Sequence, residues 1–540
     1  MNTFLSRLKI NWKSGLTVSL VSIPLSVSLA VASHASPVTG IVTAVYAGIV
    51  AALFGGSHFN IVGPTGALSG ILATFAITHG AEMLPMLALL SGALIMLAYF
   101  LKLERYLVFV PGGAIHGFTL GVAFIIGLNQ LNFALGLTGL PVHEKFVENV
   151  LESLKNVAAA SPTSLCIFTI ALAFLLVWKR LFPKLPGAII VAPIGIVVGL
   201  LAANNALPFA VNTLDSLYPT MDFSLLLPHP FTFKGAYILP AFAVALVSII
   251  ETMLSAKIAD GMTKTKHHKQ KEMQGLAFAN ILSGLVGGMP ATAALARTSL
   301  NIKTGATNRL SGIISSIAVA VISLFFLSYF KFIPLAVIAA ILVYVAIQMI
   351  EVHHFLNMWE LDKKNFFVSI LVAVITIFED PIVGILFGVA ISSLLLLEKL
   401  SRGQFDLVLN SNKKMTGHMS GETIQNVVKK SDTILYSFEG MLCYINSESH
   451  IERFHKNLNG AKHVILRFRS VYYIDLDGVE AIDEIVHLIE SQGKDVYLTS
   501  LNPIVAEMLI ESPVYQKLKR QHRVFKKSAD VLKYLGFKLP

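Results

Sequence analysis

Two ionisable side chains lie in apolar surroundings. Arg297 sits in PATAALARTSLNIKTG (290–305), behind Pro290 and a string of small residues. Glu251 sits in AFAVALVSIIETMLSAKIADG (241–261). An arginine at the centre of a membrane helix costs about 2.5–3.5 kcal/mol on insertion scales, so one that is retained faces protein or water. Placed there, its guanidinium adds fixed positive charge beside a bound anion. An intramembrane carboxylate is often an ion or proton site, and burial favours its protonated form while a nearby cation opposes this. Ser255 follows Glu251 by four residues on the same helix face and can add a hydroxyl ligand. Two plainer readings stand beside these: Arg297 caps the cytoplasmic end of a short helix, or it pairs structurally with Glu251. Asp260, near the helix end, reads as a surface residue. KHHK (266–269) and HH (353–354) read as plain solvated residues, so no metal or cofactor is expected.

Something must hold these groups at membrane depth. Gly63-Pro64-Thr65-Gly66 and Met289-Pro290 each break an apolar stretch and are followed by small residues. Irregular backbone is tolerated in a membrane only where protein or a water-filled cavity surrounds it. Each break is expected to open a half-helix, exposing unpaired N–H groups and the positive end of a helix dipole. Two such starts facing each other make an anion site. The two regions also echo one another. LFGGSHFNIVGPTGALSG (53–70) and LVGGMPATAALARTSLNI (285–302) share a Gly-Gly pair, a proline and a small-residue opening; Gly55 and Gly287 are 287 − 55 = 232 positions apart. The echo joins the third apolar element to the tenth. An offset of seven reverses membrane direction, the pattern of an inverted repeat. The echo places Arg297 about two turns into the second half-helix.

The whole chain agrees with this setting. Of its 540 residues 54% are hydrophobic and only 14% charged, against about 25% charged in soluble proteins. Mean hydropathy is +0.69. Apolar runs lie near 14–33, 38–54, 66–78, 83–101, 114–131, 161–178, 187–203, 236–255, 273–289, 291–302, 306–328, 332–350, 366–378 and 381–397, about fourteen elements. With the N-terminus inside, the basic clusters after even-numbered elements, including the five lysines of AKIADGMTKTKHHKQKE (256–272), all fall on the cytoplasmic side. The net charge of +10 thus reflects loop topology rather than nucleic-acid binding. The basic N-terminal head reads as the start of a retained first helix. Cys166 and Cys443 lie in different contexts and are not expected to pair.

Polar, mixed-charge sequence replaces the apolar runs after about residue 400. The expected domains are a membrane domain over 1–400, a linker or domain start over 401–430, and a small α/β domain over 431–540. TILYSFEG, HVILRF and DVYLTSL read as strands; SESHIERFHKNL, GVEAIDEIVHLIES and PIVAEMLIESPVYQKL read as helices. No nucleotide-binding motif is present, and the membrane part has no nucleophile–base pair, so an enzyme is not expected.

GLTVSLVSIPLSVSLAVASHASPVTGIVTAVYAGIVAALFGGSHFNIVGPTGAL and ETMLSAKIADGMTKTKHHKQKEMQGLAFANILSGLVGGMPATAALARTSLNIKTG resemble the two signature regions of the SulP sulfate permease family, and the resemblance spans essentially the whole chain. It implies fourteen membrane elements in two inverted seven-element repeats, a core and a gate domain, a cytoplasmic STAS domain, residence in the cell membrane, and commonly a homodimer. It implies substrate contact by Leu25 and Leu29 of the first element, Ala67 and Leu68 of the third, and Ala296 and Arg297 of the tenth. Leu25 stands where several relatives have a polar residue, and Ala296 where they have serine. Glu251 and Ser255 stand where sodium-coupled bicarbonate transporters resemble Asp and Thr, and are the expected cation-coupling pair. The implied activity is secondary active transport of a small inorganic anion, sulfate favoured, coupled to protons or sodium; bicarbonate, a dicarboxylate, or an uncoupled channel are the alternatives. YIDLDG (473–478) resembles the loop that reads DSSG and carries a phosphorylated serine in soluble STAS relatives. Asp477 takes the serine position, so serine phosphorylation is not expected there, and Asp477 is expected to cap the following helix.

Overall fold

Apolar chain without water to satisfy its backbone folds as helix, and each of the fourteen apolar segments contains a helix. The computed structural model describes residues 2–105, 111–137, 139–141, 143, 146–182, 186–218, 227, 231–379, 381–411, 414–419, 432–457 and 461–537. The chain divides into two compact units, Met1–Ser392 and Ser393–Pro540.

The helices of the membrane region are α1 (Asn2–Ala32), α2 (Pro37–Phe54), α3 (Gly66–His79), α4 (Leu84–Phe100), α5 (Gly112–Leu128), the short α6 (Leu131–Leu135) and α7 (Phe146–Lys155), α8 (Pro162–Leu181), α9 (Ala188–Ala203), α10 (Ile238–Thr263), α11 (Lys269–Leu285), α12 (Leu295–Lys303), α13 (Leu310–Phe326), α14 (Leu335–Met349), α15 (Val352–Leu361), α16 (Lys363–Phe378) and α17 (Pro381–Ser401). Among the described residues, nine helical stretches are long and apolar enough to cross a membrane, while α3 and α9 are shorter apolar helices.

These helices pack as two groups. One contains α1–α4 and α10–α13; the other contains α5, α8, α9, α14 and α16. Small residues set both, because apolar lipid gives helices no hydrophobic drive to associate and close backbone approach must substitute. A Cβ on Gly40 of α2 would sit 2.3 Å from the Ser26 carbonyl oxygen of α1, and one on Gly117 of α5 would sit 2.3 Å from the Ser369 carbonyl oxygen of α16. The groups meet where α3 packs on α5 and where α1 packs on α9 and α14. At that junction a methyl on Gly66 would lie 2.8 Å from Met349 Sδ and 3.1 Å from Ile126 Cδ1.

Two short strands precede the short helices. β1 (Val62–Gly63) pairs antiparallel with β2 (Thr292–Ala293), Val62 opposite Ala293 and Gly63 opposite Thr292. This pairing shifts the expected boundary of the second half-helix. Residues 292 and 293 are held extended by the ladder, so α12 begins at Leu295 and the starts of α3 and α12 are 295 − 66 = 229 positions apart. Arg297 is therefore the third residue of its helix, in the first turn rather than two turns in.

The second unit is a six-stranded sheet in the order β4-β3-β5-β6-β7-β8, built from β3 (Gln404–Ser411), β4 (Lys414–Met419), β5 (Thr433–Leu442), β6 (His463–Ile474), β7 (Asp495–Thr499) and β8 (Val524–Phe525). Strands β5 to β8 run parallel, as strands joined by crossover helices do, and the hairpin β3–β4 adds antiparallel to β5. The stretch between the two expected domains is thus partly sheet; residues 412–413 and 420–430 within it lie outside the described residues. Helices α18 (Ser447–Asn457), α19 (Leu476–Ser491), α20 (Pro503–Leu509), α21 (Pro513–Arg520) and α22 (Ser528–Tyr534) accompany the sheet. Its main core gathers Phe438, Phe468, Ile482, Ile485 and Leu498, with the Phe438 and Phe468 rings stacked at 4.9 Å. Two expectations change here. The single helix read over 503–518 is two, because Pro513 disfavours helix in the residue before it and Ser512 caps the new start at Tyr515 N. The cap of α19 is Asp475, whose Oδ1 accepts from Gly478 N at 3.0 Å; Asp477 lies inside the first turn.

Candidate functional site

The β1–β2 ladder brings the starts of α3 and α12 together. In each helix the first three N–H groups have no intrahelical acceptor. Neither start carries a side-chain cap: Ala294 has nothing to offer α12, and Thr65 is turned elsewhere. Ala67 and Leu68 are the second and third residues of α3, and Ala296 and Arg297 are the second and third residues of α12. The four residues therefore present equivalent backbone N–H positions at two helix ends joined by a ladder. Ala67, Leu68 and Arg297 are buried, whereas Ala296 is exposed. From α1, which packs against both half-helices, Leu29 is buried and Leu25 is partly buried against Val18, Val21, Ile61 and Leu300.

Arg297 is 2% exposed. One nitrogen, Nη2, donates to the Pro64 carbonyl in the lead into α3. The other, Nη1, is buried without a hydrogen-bond partner. A Cβ on Gly63 would lie 2.9 Å from Nη1, so glycine at this position leaves space for the guanidinium. Arg297 thus ties one half-helix lead to the other and keeps an unused donor between them.

Thr65 Oγ1 donates to Glu251 Oε2 at 3.1 Å. The side chain that would ordinarily cap α3 is thereby spent on the carboxylate of α10. Arg297 and Glu251 interact electrostatically but form no ion pair within 4 Å, so Arg297 is not simply the contact partner of Glu251. Ser255 Oγ lies 3.0 Å from Asn60 Oδ1 and 3.0 Å from Thr298 Oγ1. Its hydroxyl belongs to a polar network behind α12, and Thr65 is the hydroxyl bonded to Glu251.

That network was not apparent in the sequence. Glu272, 4% exposed, accepts from Gly56 N and Ser57 N at 2.6 Å each and from Asn60 Nδ2 at 2.6 Å. Thr298 Oγ1 accepts from Ile61 N at 3.1 Å, and Thr252 Oγ1 accepts from Ala293 N at 3.1 Å while lying 2.8 Å from Thr292 Oγ1. Asn280 bonds both the N–H and the carbonyl of Ala291 at 2.9 Å. Irregular backbone at membrane depth must find such partners, and these side chains supply them. The available signal was Glu272 itself, an isolated acid inside a basic loop sequence.

The second unit holds a separate buried cluster. His450 Nδ1 lies 2.7 Å from Tyr436 Oη and 3.3 Å from Arg453 Nη1. Arg453 donates to the Arg402 and Gly403 carbonyls at the lead into β3. An arginine donor at Nδ1 requires that nitrogen to accept, so the ring proton is assigned to Nε2. Burial, then the neighbouring Arg453 charge, push the His450 pKa down to about 3.

Comparison with known proteins bears on this arrangement. The sulfate permease family model matches residues 8–372, and the STAS domain model matches 425–530. YvdB of Bacillus subtilis strain 168 is 31% identical over 526 residues, covering 94% of each chain. The bicarbonate transporter BicA of Picosynechococcus is 28% identical over 73% of this chain and 71% of its own. Among solved structures, the murine Solute Carrier 26 family member A9 anion transporter superposes with a TM-score of 0.81 at 16% identity, over 98% of this chain and 91% of the other. The transmembrane domain of a cyanobacterial BicA superposes with a TM-score of 0.61 at 23% identity, over 70% and 97%. The fold is that of these multi-pass helical membrane proteins with a C-terminal α/β STAS domain, and the chain belongs to the sulfate permease family.

Proposed function

We propose that this protein is a secondary active transporter of a small inorganic anion, with sulfate the favoured substrate. The observation that carries the reading is the buried, unpartnered Nη1 of Arg297 between two uncapped half-helix starts. Leaving a buried donor unsatisfied costs about 1–3 kcal/mol, more for a charged group; an anion seated there recovers that cost. Backbone N–H groups at Ala67, Leu68, Ala296 and Arg297 supply further donors, and Leu25 and Leu29 wall the site from α1. Glu251, linked to the site through Thr65, is the proposed coupling group, with Ser255 one turn further along α10. Transport proceeds by movement of the α1–α4 and α10–α13 group against the other group, with the Gly66–Met349 junction as a contact that must slide. The N-terminus and STAS domain are on the cytoplasmic side of the cell membrane under the positive-inside reading, and the working form is a homodimer.

A second substrate has support from a specific observation: BicA, a bicarbonate transporter, matches 73% of this chain. The deciding experiment is labelled sulfate uptake into proteoliposomes, with and without an inward proton gradient. Saturable uptake that rises with the gradient is expected. Saturable sodium-driven bicarbonate uptake with no sulfate uptake would replace the substrate and coupling ion.

A further inference from the structure

His116 of α5 and His354 of α15 are far apart in sequence, yet their rings stack at 4.4 Å with 23° between planes. Glu351, the residue immediately before α15, reaches a nitrogen of each. Its Oε2 is 2.8 Å from His116 Nδ1 and 3.8 Å from His354 Nε2. Among the described residues this is the one group of three His, Cys, Asp or Glu side chains whose ligand atoms lie within 4.8 Å of one another. His353 and His354 are both exposed, as the solvated reading of HH (353–354) expects, and His354 in addition has Glu351 and His116 as neighbours.

A histidine–carboxylate hydrogen bond between His116 and Glu351 accounts for one histidine of the group and not for the other. Oε2 of Glu351 is buried, with His116 Nδ1 in close polar contact at 2.8 Å. The second histidine brings its own nitrogen toward the same oxygen. Two imidazoles and one carboxylate are the donor set of many zinc sites, with bond lengths of about 2.0–2.1 Å. Tetrahedral geometry then separates neighbouring ligand atoms by about 3.4 Å, between the two distances observed. Access is available too: side-chain exposure rises from 18% at His116 through 31% at Glu351 to 60% at His354.

We propose that His116, Glu351 and His354 form a binding site for a divalent transition-metal ion of the zinc type, with water as the remaining ligand. The ion would tie α5 to the turn between α14 and α15. Glu351 follows Met349 by two residues, and Met349 abuts Gly66 at the start of α3. Metal at this position therefore braces the segment that covers one half-helix. The inference does not depend on which anion the protein moves.

The test is equilibrium dialysis of the purified, chelator-stripped full-length protein against zinc, with bound metal measured by mass spectrometry. One tightly held zinc per chain is expected, with affinity falling at least about tenfold in both Glu351→Gln and His354→Ala, as loss of one of three protein ligands implies. His354 is exposed and its replacement removes little packing, so this variant stays informative if Glu351→Gln melts early. Absence of zinc binding by the wild type, or unchanged binding in a folded His354→Ala variant, would overturn the proposal.

Discussion

Replacing Arg297 separates its two tasks. Nη2 serves the Pro64 carbonyl and Nη1 is the donor assigned to the anion. Arg297→Gln removes the charge and the fork together. A hydrogen bond involving a charged group contributes about 1.5–3 kcal/mol, which converts to about 10- to 150-fold in Kd at 1.4 kcal/mol per decade. The Pro64 carbonyl also loses its donor, at a stability cost of about 1–3 kcal/mol. Arg297→Lys keeps the charge on one nitrogen, which cannot serve two acceptors in the geometry of a planar fork. Its binding is expected between the wild type and the glutamine variant. Labelled-sulfate binding to the purified full-length protein measures the affinities, and thermal melting checks that each variant is folded. A folded Arg297→Gln variant binding sulfate within about twofold of wild type would refute the argument, since even the weaker figure above predicts about tenfold.

Further outcomes follow from neighbouring contacts. Gly63→Ala places a methyl 2.9 Å from Arg297 Nη1; it is expected to displace the guanidinium and weaken anion binding, measurable in the same assay. Gly66→Ala meets flexible side-chain ends, Met349 Sδ and Ile126 Cδ1, so the protein is expected to fold while maximal uptake rate falls more than sulfate affinity. Glu251→Gln is expected to retain binding and abolish dependence of uptake on the cation gradient, read in proteoliposomes at matched and opposed gradients. Burial, then the Arg453 charge, hold the His450 pKa down at about 3, below the ordinary 6.5. Its folded pKa lies below the unfolded value, so the unfolded chain binds the extra proton. The stability this contributes is full above pH 6.5 and is lost as pH falls from about 6.5 toward 3, at up to 1.4 kcal/mol per pH unit. Histidine ring hydrogen exchange, followed by mass spectrometry, should show no midpoint for His450 between pH 5 and 8.

Much of the membrane architecture was legible because its signals are physical necessities. Long apolar runs locate the helices, and Gly-Pro breaks locate the half-helices. What escaped was register and long-range polar pairing. Whether Thr292 and Ala293 are helix or strand is decided by Val62 and Gly63, some 230 positions away, and that choice moved Arg297 into the first turn of its helix. The partners of Thr65, Ser255 and Glu272 likewise come from other helices, so no local pattern reveals them. Asp475 and Asp477 show the limit at short range. Both suit a helix start, and only the backbone shows that Asp475 reaches the free N–H of Gly478.

Transport through this site requires an anion lying between the starts of α3 and α12. Its most direct test is diffraction from crystals of the protein grown with selenate, a sulfate analogue located by anomalous scattering from selenium. The predicted result is a single strong peak within hydrogen-bonding distance of Arg297 Nη1 and of the backbone N–H groups at the two half-helix starts, lost in crystals of Arg297→Gln. A peak elsewhere in the membrane unit, or one at this place that survives Arg297→Gln undiminished, would contradict it.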